Sequence, residues 1–324
     1  MAVIDQDIIV YGSATMADDD STLAIGGAIN TARKVIFVTL SVSGTVQYVS
    51  SNSGDTTQTV TVSYLDNDNV LQTEVKTLTG QTPVAGVATM KILLKAIKSA
   101  TSAGDVAVEA SSAERTGTCQ AGSTSTTIKL DSGASSVDDF YKHMIVRTAV
   151  TSVEVREVLS YTGSSKVAVV SRAWSVTPDG TTTFRVSRGM LFDTSPTEIT
   201  EVRRVFFNAQ ANAPGGATKT YYDKVFFKNT NGTSGVSSAS LVLTSDPKNV
   251  SQFGVAASLG DSGTNGGGNN RQIAPAGITF NASDKNLAGV LSAGTSQGTW
   301  LKLTVAAGIA SQDTFAEYTL QGVV

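Results

Sequence analysis

The chain has 324 residues, a formal net charge of −3, 16% charged residues, 30 Gly, one Cys and one His. One cysteine excludes an intramolecular disulfide framework and cysteine-rich zinc sites, and one histidine excludes zinc sites built on two or three imidazoles. The mildly acidic balance gives no global attraction to nucleic acid or to an anionic membrane. Charge falls below the roughly 25% of an ordinary soluble domain. Ser, Thr, Gly, Ala and Val fill the gap, a mix that disfavours helix and fits short strands joined by small-residue turns. No apolar run reaches the roughly 18 residues of a membrane-spanning helix. The start MAVIDQDIIVYGS lacks a basic region followed by an apolar one, so a soluble chain made in the cytosol without a secretory signal is expected.

Residues 1–112 are expected to form an N-terminal arm and a β-rich domain. After the apolar patch Ile8 to Tyr11 and the acidic Asp18-Asp19-Asp20, the β-branched run Lys34 to Leu40 reads as a buried strand, and Thr45 to Val49 as another. In TQTVTVSYL, residues 57–65, Val60, Val62 and Tyr64 share one face and Thr59, Thr61 and Ser63 the other. Alternation resumes from Val70 to Leu78 beyond the turn Asp66-Asn67-Asp68-Asn69, so residues 57–78 predict a hairpin with a polar tip. Thr89 to Lys98 fits a strand or a short helix; the pattern continuing at Val106-Ala107-Val108 favours strand.

Residues 113–189 carry five short strand signals, at 126–130, 145–147, 153–159, 166–170 and 183–186. Strong turn chemistry at 161–165 and 177–180 separates them, which predicts a small β-barrel. A Ser/Asp cap signal predicts one helical turn near Val137 to Tyr141. Residues 190–324 carry about seven strand signals, at 201–208, 218–228, 239–243, 253–258, 278–280, 299–305 and 314–320, a number that matches an immunoglobulin-like sandwich. GDSGTNGGGNN, 260–270, reads as a long polar loop. The expected fold class is therefore all-β: immunoglobulin-like or β-sandwich domains with a small inserted β-barrel.

The motifs that could carry chemistry are weak in context. Gly294-Thr295-Ser296-Gln297-Gly298 matches G-x-S-x-G, but a strand signal follows it where a nucleophile elbow needs a helix, and His143 precedes it. His143 and Cys119 could form a thiol–imidazole pair; a surface histidine and an incidental thiol are the plainer reading. Asp18 to Asp20 and Asp66 to Asn69 offer oxygen ligands without the Gly and distant Glu of a helical calcium loop. Asn231-Gly232-Thr233, Asn249-Val250-Ser251 and Asn281-Ala282-Ser283 match the glycosylation pattern, which has no meaning without a secretory route. Arg203, Arg204, Lys219, Lys224 and Lys228 interleave with Tyr221, Tyr222, Phe226 and Phe227, as a single-strand nucleic-acid platform would. Alternation divides those aromatics between two faces, so a sandwich core is expected, with the Tyr222, Lys224, Phe226, Lys228 face open to use as an interface. Trp174 and Trp300 read as core anchors. No catalytic, cofactor-binding or metal-ligating residue is assigned, no cofactor is expected, and the chain is not expected to be an enzyme.

The stretch from Gly117 to Val186 resembles a small β-barrel module that recurs in tailed-bacteriophage virion proteins. The resemblance rests on AGS-TTI-L, on SG-AS--DDFY--M-V, on R-V--Y-G--KVA-V--AW---PD-T--F, and on their order, over about 70 residues. YGSATMADDD through GTVQYVSSNSGDTTQTVTVSYLD, and KTYYDKVFFKNTNGT through GTWLKLTVAAG, are similar to the flanking parts of phage virion proteins. The resemblance carries over no catalytic or binding residue. It implies a structural component of the virion, made in the host bacterial cytoplasm. The expected role is a capsid decoration or cement protein that contacts the major capsid protein at subunit seams, with Met1 to Asp18 as a ragged arm, and that forms a homo-oligomer on the particle. No direct nucleic-acid or membrane partner is expected. The alternative is a tail component or receptor-binding fibre or adhesin, with neighbouring tail proteins as partners. The barrel is expected to be a projecting insertion between flanks of one domain.

Overall fold

The computed structural model describes residues 3, 5–16, 25–38, 40–149, 153–206, 217–246, 251–264, 271–307 and 317–323. The protein is all-β, of the β-sandwich class with a half-barrel, and the one helical element among the described residues is the 3-10 turn Asp5–Asp7. No helix among them is long and apolar enough to cross a membrane. The chain divides into two compact units, Met1–Thr39 with Arg203–Val324, and Leu40–Val202.

In chain order the strands begin with β1 (Ile8–Thr15) and β2 (Gly26–Ile36). There follow β3 (Leu40–Gly44), β4 (Val46–Ser50), β5 (Thr59–Leu65), β6 (Leu71–Thr77), β7 (Val84–Ala85), β8 (Met90–Lys98) and β9 (Val106–Ala110). The half-barrel holds β10 (Arg115–Thr118), β11 (Thr127–Lys129), β12 (Ile145–Ala149), β13 (Val153–Thr162), β14 (Val167–Val170) and β15 (Thr183–Ser187). The chain returns through β16 (Gly189–Phe192) and β17 (Glu201–Arg204), and ends with β18 (Lys219–Asn229), β19 (Ser237–Ser245), β20 (Ser251–Leu259), β21 (Lys285–Asn286), β22 (Ser296–Val305) and β23 (Glu317–Val323).

The unit formed by both chain ends is a sandwich of β20-β22-β18-β1-β2 against β21-β19-β23. Tyr221, Val225 and Phe227 of β18, Leu301 and Leu303 of β22, Phe253 of β20, Leu241 of β19 and Tyr318 of β23 form its core. The rings of Phe253 and Tyr318 meet edge-on across the two sheets at 5.6 Å. The sequence treats 190–324 as a contiguous domain, but β1 lies between β18 and β2, with Ile8 opposite Asn229 and Tyr11 opposite Phe226. The residues read as a ragged arm therefore include an interior strand, because Ile8 to Tyr11 is an apolar run whose open backbone groups find a long central partner. Ile278 to Phe280 is not a strand: Gly277 turns the chain at φ 73°, and Asn281 makes a single bridge to Phe253.

In the second unit, β8-β5-β6 with β3 beside β8 forms one sheet and β16-β9-β4-β7 another. The expected hairpin and the strand reading of 89–98 are both present, as β5–β6 and β8. Val60, Val62 and Tyr64 face inward from β5, and Thr59, Thr61 and Ser63 alternate with them on the half-exposed face. Residues 115–187 form the sheet β10-β15-β12-β13-β14-β11, with a core of Ile128, Leu130, Tyr141, Val146, Val158, Trp174 and Phe184. Its edges approach each other: the Gln120 N–H donates to the Lys129 carbonyl at 3.0 Å, and Arg115 Nε donates to Asp131 Oδ1 at 2.9 Å. No helical turn forms near Val137 to Tyr141, because Asp139 and His143 sit at φ 56° and 64°, in the left-handed region that interrupts a right-handed turn.

Candidate interaction surface

The half-barrel leaves its host sheet at Ala110, the end of β9, and returns at Gly189, the start of β16; Glu109 and Gly189 face each other across that ladder. It does not project on a free tether. Ile145 and Val155 of the half-barrel pack in one buried cluster with Val49, Ala107 and Leu191 of the host. Two buried carboxylates flank that cluster. Asp105 accepts from Arg156 Nη1 at 2.9 Å, from Arg172, and from the N–H and hydroxyl of Thr194, each at 2.9 Å. Glu109, whose side chain is 0% exposed, accepts from Gln47 at 2.6 Å, from Arg147 at 2.9 Å and from the Ser187 hydroxyl at 2.8 Å, with Arg185 at 3.5 Å. Arg156 also reaches Glu154 at 2.6 Å and lies over the Trp174 ring at 5.2 Å. Burial, then the neighbouring Arg172 charge, pushes the Arg156 guanidinium below its ordinary value. Four arginines of the half-barrel thus meet two host carboxylates, Asp105 just before β9 and Glu109 within it, a buried ionic joint that costs heavily to break from one side.

At the opposite extreme stands β6. Its ladder with β5 runs unbroken from Thr59 opposite Thr77 to Leu65 opposite Leu71. The Leu78 N–H donates to the Gln58 carbonyl and the Asp66 N–H to the Val70 carbonyl. Antiparallel alternation then assigns the backbone groups of Gln72, Glu74 and Lys76 to β5 and aims those of Leu71, Thr73, Val75 and Thr77 away from it. Those four side chains are all exposed. Val75, at 56% exposure, continues across Thr61 to the exposed Ile97 on β8; Val70, Leu71 and Val87 are exposed nearby. Only Glu74 is buried, and its carboxylate accepts from the Tyr48 hydroxyl and from the N–H groups of Val87 and Ala88, each at 2.9 Å.

Among the described residues the other sheet edges are blunted. β7 and β21 have two residues, β11 three, and β10 and β16 four. β3 and β23 carry register shifts. β20 carries one too, and is bridged at Phe253 on its outer side. Short strands, bulges and covering segments are the usual ways a fold prevents edge pairing. β6 is seven residues long, regular and free of proline, and its only charges are Lys76 and the inward Glu74.

The sequence motifs fall elsewhere. Ser296 is buried at the start of β22 and follows the turn Ser292 to Thr295, so no helix follows the G-x-S-x-G pattern. Cys119 is buried in the half-barrel core, and its thiol is pushed up to about 12, chiefly by burial, the reverse of an activated thiolate. His143 meets Glu157 across 3.5 Å. Asp66 is occupied in its own turn, accepting from the N–H groups of Asp68 and Val70, and the Val70 bond leads in holding its carboxyl below the usual value. Asp18 to Asp20 lie outside the described residues, as do Asn249 and Val250. No group of three or more His, Cys, Asp or Glu placed to hold a metal occurs among the described residues.

Both faces of β18 are covered. Arg203 and Lys224 are buried: Arg203 pairs with Asp223 at 2.8 Å, and Lys224 with Asp261 at 2.6 Å between the Phe226 and Trp300 rings. Tyr222 packs with Met16 and Trp300, so the face expected to be available as an interface is core. Trp174 and Trp300 are core residues, as the sequence indicates. The sequence signal overlooked at the joint is Glu109, a carboxylate inside the apolar run VAVEA. Comparison with protein-family models, with curated proteins and with solved structures finds no match.

Proposed function

We propose that the chain is a non-catalytic structural component of a tailed-phage particle, a decoration protein that reinforces the capsid through contacts with the major capsid protein at subunit seams. On the particle it forms a homo-oligomer, and the observation that carries this self-association is the open β6 edge with its apolar neighbours, on a chain whose other described edges are blunted. An exposed regular edge presents unpaired N–H and C=O groups and is a template for pairing with another chain. The resemblance of residues 117–186 to a phage virion module supplies the setting.

Gold-labelled antibody on intact virions tests the reading by negative-stain electron microscopy. Dense label over the head is the expected result. Sparse label at the tail or its tip transfers the chain to the tail or to a receptor-binding fibre, and absence of label overturns the virion assignment.

A further inference from the structure

We propose that β6 is the self-association edge of this chain, pairing antiparallel with β6 of a second copy about a two-fold axis through Glu74. The strand's own geometry selects this occupant. The outward backbone groups belong to Leu71, Thr73, Val75 and Thr77, a set symmetric about Glu74. Under the two-fold, Leu71 meets Thr77 of the second copy and Thr73 meets Val75. Every one of these is a hydrogen-bonded pair, each exchanging two bonds, about eight in all.

The side chains agree with that register. None of Leu71, Thr73, Val75 and Thr77 is charged, so no like charges meet on the exposed face. Lys76 lies opposite Gln72 of the second copy and diagonal to its Glu74, the opposite sign at a distance where cross-strand pairs attract. The two Glu74 residues that share the axis turn their carboxylates inward to Tyr48, Val87 and Ala88, which keeps them from meeting. The pair would join two β8-β5-β6 sheets into one and set the exposed Val75 beside Thr73 of the second copy.

This inference deepens the self-association in the proposed function but stands on the strand geometry alone. Sedimentation velocity of the full chain across a concentration series tests it, with amide hydrogen exchange as the local readout. The expected result is a concentration-dependent dimer in which the amides of Leu71, Thr73, Val75 and Thr77 are protected. Val75→Pro removes an outward N–H that β5 does not use, a position where an edge strand tolerates proline. It is expected to weaken the dimer at least about tenfold while leaving the monomer folded. Val75→Lys, a charge on the open edge, is expected to weaken it comparably, and serves if the proline variant fails to fold. A monomer at every concentration, a dimer that neither variant weakens, or unprotected amides at these four positions in the dimer overturns the proposal. Each of those results leaves the particle reading to the labelling experiment.

Discussion

Two short strands of the same unit, β9 and β6, are used in opposite ways. β9 is buried at every position, with partners on both sides, and its Glu109, like Asp105 just before it, is held by arginines from the inserted half-barrel. β6 is exposed at five of its seven positions, in the pattern eeeBeie, and has a ladder on one side alone. The difference teaches that polarity in the sequence does not report exposure. The strand next to Asp105 and containing Glu109 is the interior one, and the strand with Leu71 and Val75 is the open one. What decides is whether the fold supplies partners for the backbone edge and for each charge.

The strongest way to break the contrast is Glu109→Ala. It leaves Arg147 and Arg185 facing each other without their shared carboxylate, and breaking a buried pair from one side costs about 3–5 kcal/mol. Both arginines retain some solvent access, so the lower end of that range is expected in a urea titration. Deleting 113–189 removes all four arginines and strands both carboxylates; loss of cooperative unfolding of residues 40–202 by circular dichroism is the expected result. Survival of the transition would mean that the apolar contacts alone hold the host sheet.

Tyr48→Phe tests the one inward anchor of β6. It removes the hydroxyl donated to the buried Glu74 carboxylate, at a cost of about 1–3 kcal/mol measured in the same titration. Burial, then the Glu74 charge, pushes the Tyr48 hydroxyl pKa up. A group whose folded value is raised stabilises fully below its unfolded value of about 10 and loses that contribution as pH rises toward the folded one. The wild-type chain should therefore lose stability in alkali above about pH 10, and Tyr48→Phe should lose less.

Smaller still is Arg115→Ala at the half-barrel seam. The pair with Asp131 is partly exposed, so solvent screening leaves only a small loss of stability in the same titration. Hydrogen bonding from Arg115 leads in holding the Asp131 carboxyl below its usual value. Its contribution is present above the unfolded carboxylate range and is lost as pH falls through the lowered folded value, so acid titration of the variant should be flatter below about pH 4. Val75→Lys completes the series, with a change in monomer stability within about 0.5 kcal/mol in the same titration.

Alternation made much of the fold legible. β5 and β6 lie where period two places them, since side-chain direction along a strand is a local property; β8, which fitted strand or short helix, is a strand. Partnership is not local, and that is where the sequence falls short. Ile8 to Val10 pairs with residues more than 200 positions away, so the division into 1–112, 113–189 and 190–324 differs from the two compact units. Arg147, Arg156, Arg172 and Arg185 read like any solvated arginine until the sheets that bury them are assembled. The open edge is equally silent: LQTEVKT alternates in the same manner as an interior strand, because alternation reports faces and not neighbours. The helical turn near Val137 failed on two backbone angles, at Asp139 and His143, that residue type alone does not dictate.

The pairing of Glu109 with Gly189 has a consequence for how such a chain can be remodelled. The half-barrel begins and ends at positions facing each other on adjacent strands, about 4.5–5.5 Å apart at the α-carbons. A segment with that spacing can be spliced into any antiparallel ladder without stretching the recipient. A Cβ at Gly189 would stand 2.2 Å from the Val108 carbonyl oxygen, so the receiving ladder needs a glycine at the return point. It also needs acids matching Asp105 and Glu109 to pair with the incoming arginines. Transplantation is therefore cheap for the backbone and exacting for three side-chain positions.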